Sequence, residues 1–251
     1  MGLLDNESIP RRKMILFFMI DTSGSMYGSK IGSVNDAIEN VLPMIGEISD
    51  ENPDAEINVA VLEFSTETRW LYDEPKDAKE FIWQKVEADG LTSLGEACEE
   101  LNKKLSRTGG FMPTSTGSGY FAPAIILLSD GGPTDNFDAG LRTLQGNQWF
   151  KNAIKIAIAI GDDADKDVLK DFTGSIEAVF TVHNIDALKQ VIRVVAVTSS
   201  QIGSKSSTAG ETSKQEQVIK DVTENVKDID GAHSEAAAPE PAASNNYDDW
   251  D

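Results

Sequence analysis

Met19-Ile20-Asp21-Thr22-Ser23-Gly24-Ser25-Met26 closes an apolar run, residues 14–20, and opens a polar loop. Seven consecutive apolar residues read as a central strand covered on both faces. Asp21, Ser23 and Ser25 then fall at alternate positions in a strand-to-helix loop. Gly24 permits the tight backbone path that brings their oxygens together. One carboxylate and two hydroxyls make a small, hard, oxygen-only set. Taken alone, the same residues also read as an ordinary polar turn whose Ser and Asp cap the next helix.

Working outward from this stretch, buried strands alternate with amphipathic helices. Ile31, Val34, Ile38, Val41, Leu42, Ile45 and Ile48 recur at helical spacing, with Pro43 expected to kink the helix. Residues 57–64 alternate as a strand, and 68–72 can return as an antiparallel edge. Helical patterns follow at 94–105, 141–150, 168–172 and 185–195, and strands at 124–128, 154–160 and 178–182. This alternation predicts an α/β fold, doubly wound, with a mainly parallel central sheet, one antiparallel edge strand and helices on both faces. The expected domain covers 13–202, preceded by an extension at 1–12. Residues 203–251 read as an acidic, largely disordered tail, with 11 acidic and 4 basic residues from 201 onward. Within it, Val218, Ile219, Val222, Val226 and Ile229 can line one side of a short helix, either transient in solvent or docked on a partner. Residues 114–119 read as a flexible loop. The aromatic, acidic end Asn246-Tyr247-Asp248-Asp249-Trp250-Asp251 reads either as a solvated terminus or as a short recognition element.

The whole chain of 251 residues carries 42 acidic and 22 basic residues, a net charge of -20. Such a charge repels phosphate backbones and anionic headgroups, so neither nucleic acid nor a membrane surface is an expected partner. The single cysteine, Cys98, allows no internal disulfide and suits a reducing, cytoplasmic location. Arg11-Arg12-Lys13 before the run at 14–20 mimics a signal peptide, but the run ends on Asp21 without a small-residue cleavage site. No apolar stretch is long enough to span a bilayer.

Two further stretches join the first loop. Leu127-Leu128-Ser129-Asp130-Gly131-Gly132 puts Asp130 at the end of a buried strand. Asp89-Gly90-Leu91-Thr92-Ser93 places Thr92 just before a helix. In a doubly wound sheet these loops converge at the carboxyl edge, beside the topological switch point. Asp-x-Ser-x-Ser, a Thr in a Gly-containing loop and Asp-Gly after a Leu/Ile run together resemble the metal-ion-dependent adhesion site of von Willebrand factor A domains, over about residues 13–202. Within that family the chain is most similar to bacterial cytosolic tellurium-resistance proteins of the TerY type. Asp130-Gly131-Gly132-Pro133-Thr134-Asp135, Gly161-Asp162-Asp163-Ala164-Asp165 and Tyr120-Phe121-Ala122-Pro123 carry that closer likeness.

The resemblance implies direct ligation by Ser23 and Ser25. It implies ligation by Thr92 directly or through water, and action of Asp21 and Asp130 through bridging water. Leu91 departs from the pattern, where a second Gly often precedes the Thr. Hard oxygen ligands with few carboxylates suit Mg²⁺ or Mn²⁺. The implied function is a metal-dependent protein-interaction module, its partner supplying a carboxylate to the metal, in a stress-response system beside a kinase and a phosphatase. The rival is a metal-dependent phosphohydrolase using Asp21. With His183 and His233 the only histidines and no phosphate-binding Gly-rich loop, the expectation is a protein without catalytic activity. Asp162, Asp163 and Asp165 read as a capped strand-to-helix loop or a second ion site. Trp70 and Trp83 read as packing residues.

Overall fold

The computed structural model describes residues 11–106, 109–113, 119–206 and 212–237. In chain order these form β1 (Arg12–Asp21), α1 (Ser29–Glu51), β2 (Ala55–Phe64), β3 (Thr68–Trp70), β4 (Lys76–Asp77), α2 (Leu94–Lys104), β5 (Ala124–Ser129), α3 (Phe137–Gln145), α4 (Gln148–Asn152), β6 (Ile154–Ile160), α5 (Lys166–Thr173), β7 (Val179–Val182), α6 (Ile185–Gly203), α7 (Lys214–Val226) and β8 (Ala232–Ser234). The extension at 1–10, the loop at 114–118 and the element at 246–251 lie outside the described residues.

The sheet runs β3-β2-β1-β5-β6-β7-β8, with β4 also paired to β2. β1, β2, β5, β6 and β7 are mutually parallel, as the alternating pattern predicts. The expected single antiparallel edge is extended: β3 and β4 return beside β2, and β8 adds an antiparallel strand on the far side of β7. β1 shows why residues 14–20 are apolar throughout. Met14, Leu16, Phe18 and Ile20 face the core beneath α1, α6 and α7. Ile15, Phe17 and Met19 face the other core, with Leu94, Cys98 and Leu101 of α2, Leu141 of α3 and Phe172 of α5. A period of two on a strand covered on both sides leaves no position for a polar residue.

Other expectations are refined. α1 continues through Pro43. The helix expected over 141–150 is two helices, because Gly146 ends α3 and the Asn147 side chain accepts from Trp149 N at 2.9 Å to start α4. Trp70 packs edge-on to Phe17 and Phe111, and Trp83 Nε1 donates to Asn35 Oδ1 at 3.1 Å. Cys98 is buried, and burial pushes its thiol pKa up, which keeps it protonated.

The largest correction concerns the expected tail. α6 runs to Gly203, and residues 212–237 belong to the fold. α7 starts in a capping box between Ser213 and Glu216 and buries Val218, Ile219, Val222 and Val226 in the same core as β1. Gln215 imitates a strand. Its Oε1 accepts from Lys155 N at 2.7 Å and its Nε2 donates to Lys155 O at 2.8 Å, on a part of β6 that β7 does not reach. The apolar stripe noted in the sequence therefore docks on its own sheet. Its length is too short to form a helix unaided, so only the contact with β6 and α6 decides the outcome.

β8 is held by polar contacts. The rings of His183 and His233 stack at 5.1 Å, and the Glu235 carboxylate takes hydrogen bonds from His233, Thr181 and Lys166. Burial alone would raise the Glu235 carboxyl, but these bonds outweigh it and hold it at about 2. A carboxyl depressed in the folded state stabilises above its ordinary value of 4.5, and that contribution is lost as pH falls from there toward about 2. Glu235→Gln is therefore expected to lower the Tm at pH 6, with a smaller gap to wild type at pH 3. A gap independent of pH would show that Glu235 does not act through its charge.

Candidate metal centre

β1 delivers Asp21 to the carboxyl edge of the sheet with no exposed surface, and β5, its neighbour, delivers Asp130 at 2% exposure. Hydrogen bonds tie the two loops together. Ser23 N donates to Asp21 Oδ1 at 2.9 Å, the Ser23 and Ser25 hydroxyls lie 3.0 Å apart, and Ser25 Oγ donates to Asp130 Oδ1 at 2.6 Å. Four of the five residues singled out from the sequence are thus one connected cluster.

Thr92 arrives by a different route. Gly24 N donates to Gly90 O at 3.0 Å and Asp89 N to Thr22 O at 2.8 Å, which lays the third loop against the first. Thr92 N donates to Thr134 Oγ1, and Thr134 N returns a bond to Thr92 O at 2.8 Å, which lays it against the loop after Asp130. Gly90 is required here. Its φ is +85°, and a Cβ would meet Thr66 Oγ1 at 2.4 Å. Thr92 is 6% exposed, and among the described residues its hydroxyl has no hydrogen-bond partner. Leu91, the departure in this loop, donates its N–H to Thr66 Oγ1 at 3.0 Å while its side chain stands in solvent.

Sequence reasoning missed three contributors. Ser129 Oγ donates to Asp21 Oδ2 at 2.6 Å, and its place beside Asp130 in the motif was the available signal. Asp135 accepts from Gly95 N at 3.0 Å and Glu96 N at 2.9 Å, anchoring the start of α2 to the Asp130 loop. Lys30 Nζ lies 2.9 Å from Asp130 Oδ2. Nothing in the sequence marks that lysine apart from any other in a first helical turn.

Two carboxylates meet at this edge of the sheet. Burial lifts the Asp21 carboxyl above its ordinary value. The hydrogen bonds from Ser129 and Ser23 pull it down, and the negative charge of Asp130 pushes it up. Two buried carboxylates with a free threonine hydroxyl and two serine hydroxyls suit a small cation with hard-oxygen preference. Lys30 already brings one positive charge to this place.

The second acidic loop is engaged elsewhere. Asp165 caps α5 by accepting from Val168 N at 3.2 Å, and Asp162 pairs with His183 Nδ1 at 3.1 Å. Among the described residues no three of His, Cys, Asp and Glu converge in a way that could hold a metal.

A doubly wound sheet with hydroxyl-rich loops and two buried aspartates at its switch point defines a class of α/β binding domains. Within that class the chain belongs to the von Willebrand factor type A domain family, whose model matches residues 16–194. Domains of this family mediate protein–protein interactions, often through a metal, and are typically not enzymes. Inter-alpha-trypsin inhibitor heavy chain H2 of Mus musculus is 30% identical over 168 residues, 62% of this chain and 16% of that protein. The human protein of that name is 29% identical over 170 residues, with the same coverage. The chain thus spans about one-sixth of the length of these relatives. Among solved structures, a von Willebrand factor type A protein from Catenulispora acidiphila matches 76% of this chain and 43% of its own, at a TM-score of 0.55 and 16% identity. Proximal thread matrix protein 1 of the mussel byssus, with a zinc-occupied adhesion-site motif, matches 76% of this chain and 48% of its own, at 0.55 and 13% identity. At such identities the likeness is one of fold.

Proposed function

We propose that this chain is a Mg²⁺- or Mn²⁺-dependent protein-interaction module whose ion is held by Asp21, Ser23, Ser25, Thr92 and Asp130. The observation that carries the proposal is the convergence of three separate loops, which brings the buried Asp21, Ser23 and Asp130 into one hydrogen-bonded cluster with Ser25 and lays the Thr92 loop against it. The ion would supply a Lewis-acidic point for a carboxylate of a protein partner. Asp21, held by Ser129, would orient the Ser23 end of the site, and Asp130 would orient Ser25. The Thr92 hydroxyl is free to turn toward the ion or away from it. Tyr27 and Leu91 flank the loops at 79% and 58% exposure, an apolar rim suited to a protein surface rather than a small ion.

The resemblance to tellurium-resistance proteins supports a bacterial, cytoplasmic stress-response setting, with a kinase or phosphatase of the same system among the partners. No described helix is long and apolar enough to cross a membrane. The phosphohydrolase alternative draws no support from the geometry, because the two histidines face each other at the β7–β8 edge, two strands away from β5.

Titration of Mg²⁺ or Mn²⁺ into EDTA-stripped protein, followed by calorimetry, tests the site. One binding site is expected, lost in Ser23→Ala and Asp130→Ala. Lys30→Gln is expected to bind the ion more tightly than wild type, since the lysine amine and the ion compete for Asp130. Unchanged binding in both alanine variants would overturn the assignment. Capture of a partner that survives both EDTA and Ser23→Ala would overturn the metal-dependent role.

A further inference from the structure

A second site lies at the opposite edge of the sheet, at the amino ends of β1, β5 and β6. There a cavity of about 640 Å³ opens between the start of α7, the end of α4 and the first residues of these strands. Its lining includes Arg12, Lys151, Lys155 and Lys214, and no Asp or Glu. Four cations around one cavity are unexpected in a chain of net charge -20. None of the four has a carboxylate within ion-pair distance among the described residues.

The fold holds these charges in place without neutralising them. Arg12 Nη2 donates to Tyr120 O at 2.5 Å, and its guanidinium lies 3.9 Å from the centre of the buried Phe121 ring. Lys214 Nζ donates to Gly203 O at 2.6 Å, capping α6, and lies 4.7 Å from the same ring. Lys155 Nζ donates to Phe150 O at 3.1 Å and Ala153 O at 3.3 Å. Lys151 is exposed at the rim. Burial and the charge of Arg12 pull Lys214 down to about 8, and burial lowers Lys155. An anion placed here would relieve repulsion among groups that the protein otherwise keeps close.

We infer that this cavity is a binding site for a small phosphate-class anion carrying at least two negative charges, separate from the metal centre. The lining contains no carboxylate to hold a ribose and no exposed ring to stack a base, so the phosphate groups themselves are what it recognises. β1 spans the sheet between the two sites, placing them about 30 Å apart along its ten residues. The cavity therefore stands whether or not the metal reading does.

The test is calorimetric titration of the full chain with pyrophosphate, in EDTA and about 0.15 M salt so that surface attraction is screened. Removing divalent ions keeps the metal centre out of the measurement. Saturable binding is expected, weaker by at least about tenfold in Lys151→Glu, which reverses a rim charge whose side chain makes no hydrogen bond or ion pair among the described residues. Lys214→Gln is expected to weaken it as well. Parallel titrations with inorganic triphosphate and ATP read the source of the phosphate. Equal affinity supports recognition of the phosphate chain alone, whereas markedly tighter ATP binding would overturn it. No saturable binding, equal binding by Lys151→Glu, or citrate binding as tightly as pyrophosphate would overturn the inference.

Discussion

Asp21→Asn is expected to weaken metal binding and, at the same time, to raise the Tm of the metal-free protein at neutral pH. The two effects have one cause. Burial disfavours the charged carboxylate, and Asp130 adds to that cost, so the folded-state pKa of Asp21 is raised. A carboxyl raised in the folded state costs no stability below its unfolded value, near 3.8, and costs progressively more as pH rises through its folded value. Asparagine is neutral at every pH. Its carbonyl can still accept from Ser23 N, and its amide can donate to Ser129 Oγ, whose proton then turns to Gly131 O, 3.2 Å away. Because Asp21 would act on the ion through Ser23 and bridging water, loss of its charge should weaken metal binding by roughly 10–100-fold. Melting curves in EDTA at pH 7.5 and pH 4 check the stability half: the gain is expected at the higher pH and should vanish at the lower. A lower Tm for Asp21→Asn at pH 7.5 would show that the hydrogen bonds of this carboxylate outweigh its burial.

Truncation after Ser206 is expected to prevent folding. The shorter chain loses α7 and β8. Val218, Val222 and Val226 are at most 1% exposed, and Ile219 and Ile229 are 9% exposed. Each such side chain contributes about 1.5–3 kcal/mol when fully buried. Five together approach the roughly 5–15 kcal/mol that separates a folded domain from its unfolded chain. Their loss also uncovers the face of β6 and α6 beneath them and the edge of β7. Circular dichroism during heating decides the matter. A cooperative transition at the wild-type temperature in the chain ending at Ser206 would show that α7 is an accessory to the fold. Val222→Asp in the full chain separates burial from length, because it keeps every residue and still places a charge in the core.

Much of this architecture was legible in the sequence because the physics there is local. Residues 14–20 are apolar throughout, and only a strand covered on both faces tolerates that. The helical spacing from Ile31 to Ile48 specified which side of α1 turns inward. Asp21, Ser23, Ser25, Thr92 and Asp130 could be picked out because each sits where a strand ends or a helix begins, and parallel strands send such ends to one edge. The fate of residues 214–226 could not be read the same way. Their stripe is short, their composition polar, and the surface that stabilises them lies some sixty residues earlier, at Lys155. Lys30 and the cationic cavity escaped notice for the same reason. A lysine's sequence neighbours say nothing about the carboxylate it meets a hundred residues away, or about the three other cations that the strand order gathers around it. Local pattern determined the elements and the order of the loops. Tertiary structure alone decided which charges were paired, which were left facing a cavity, and how far the domain extends, because those depend on desolvation and on contacts between segments remote in the chain.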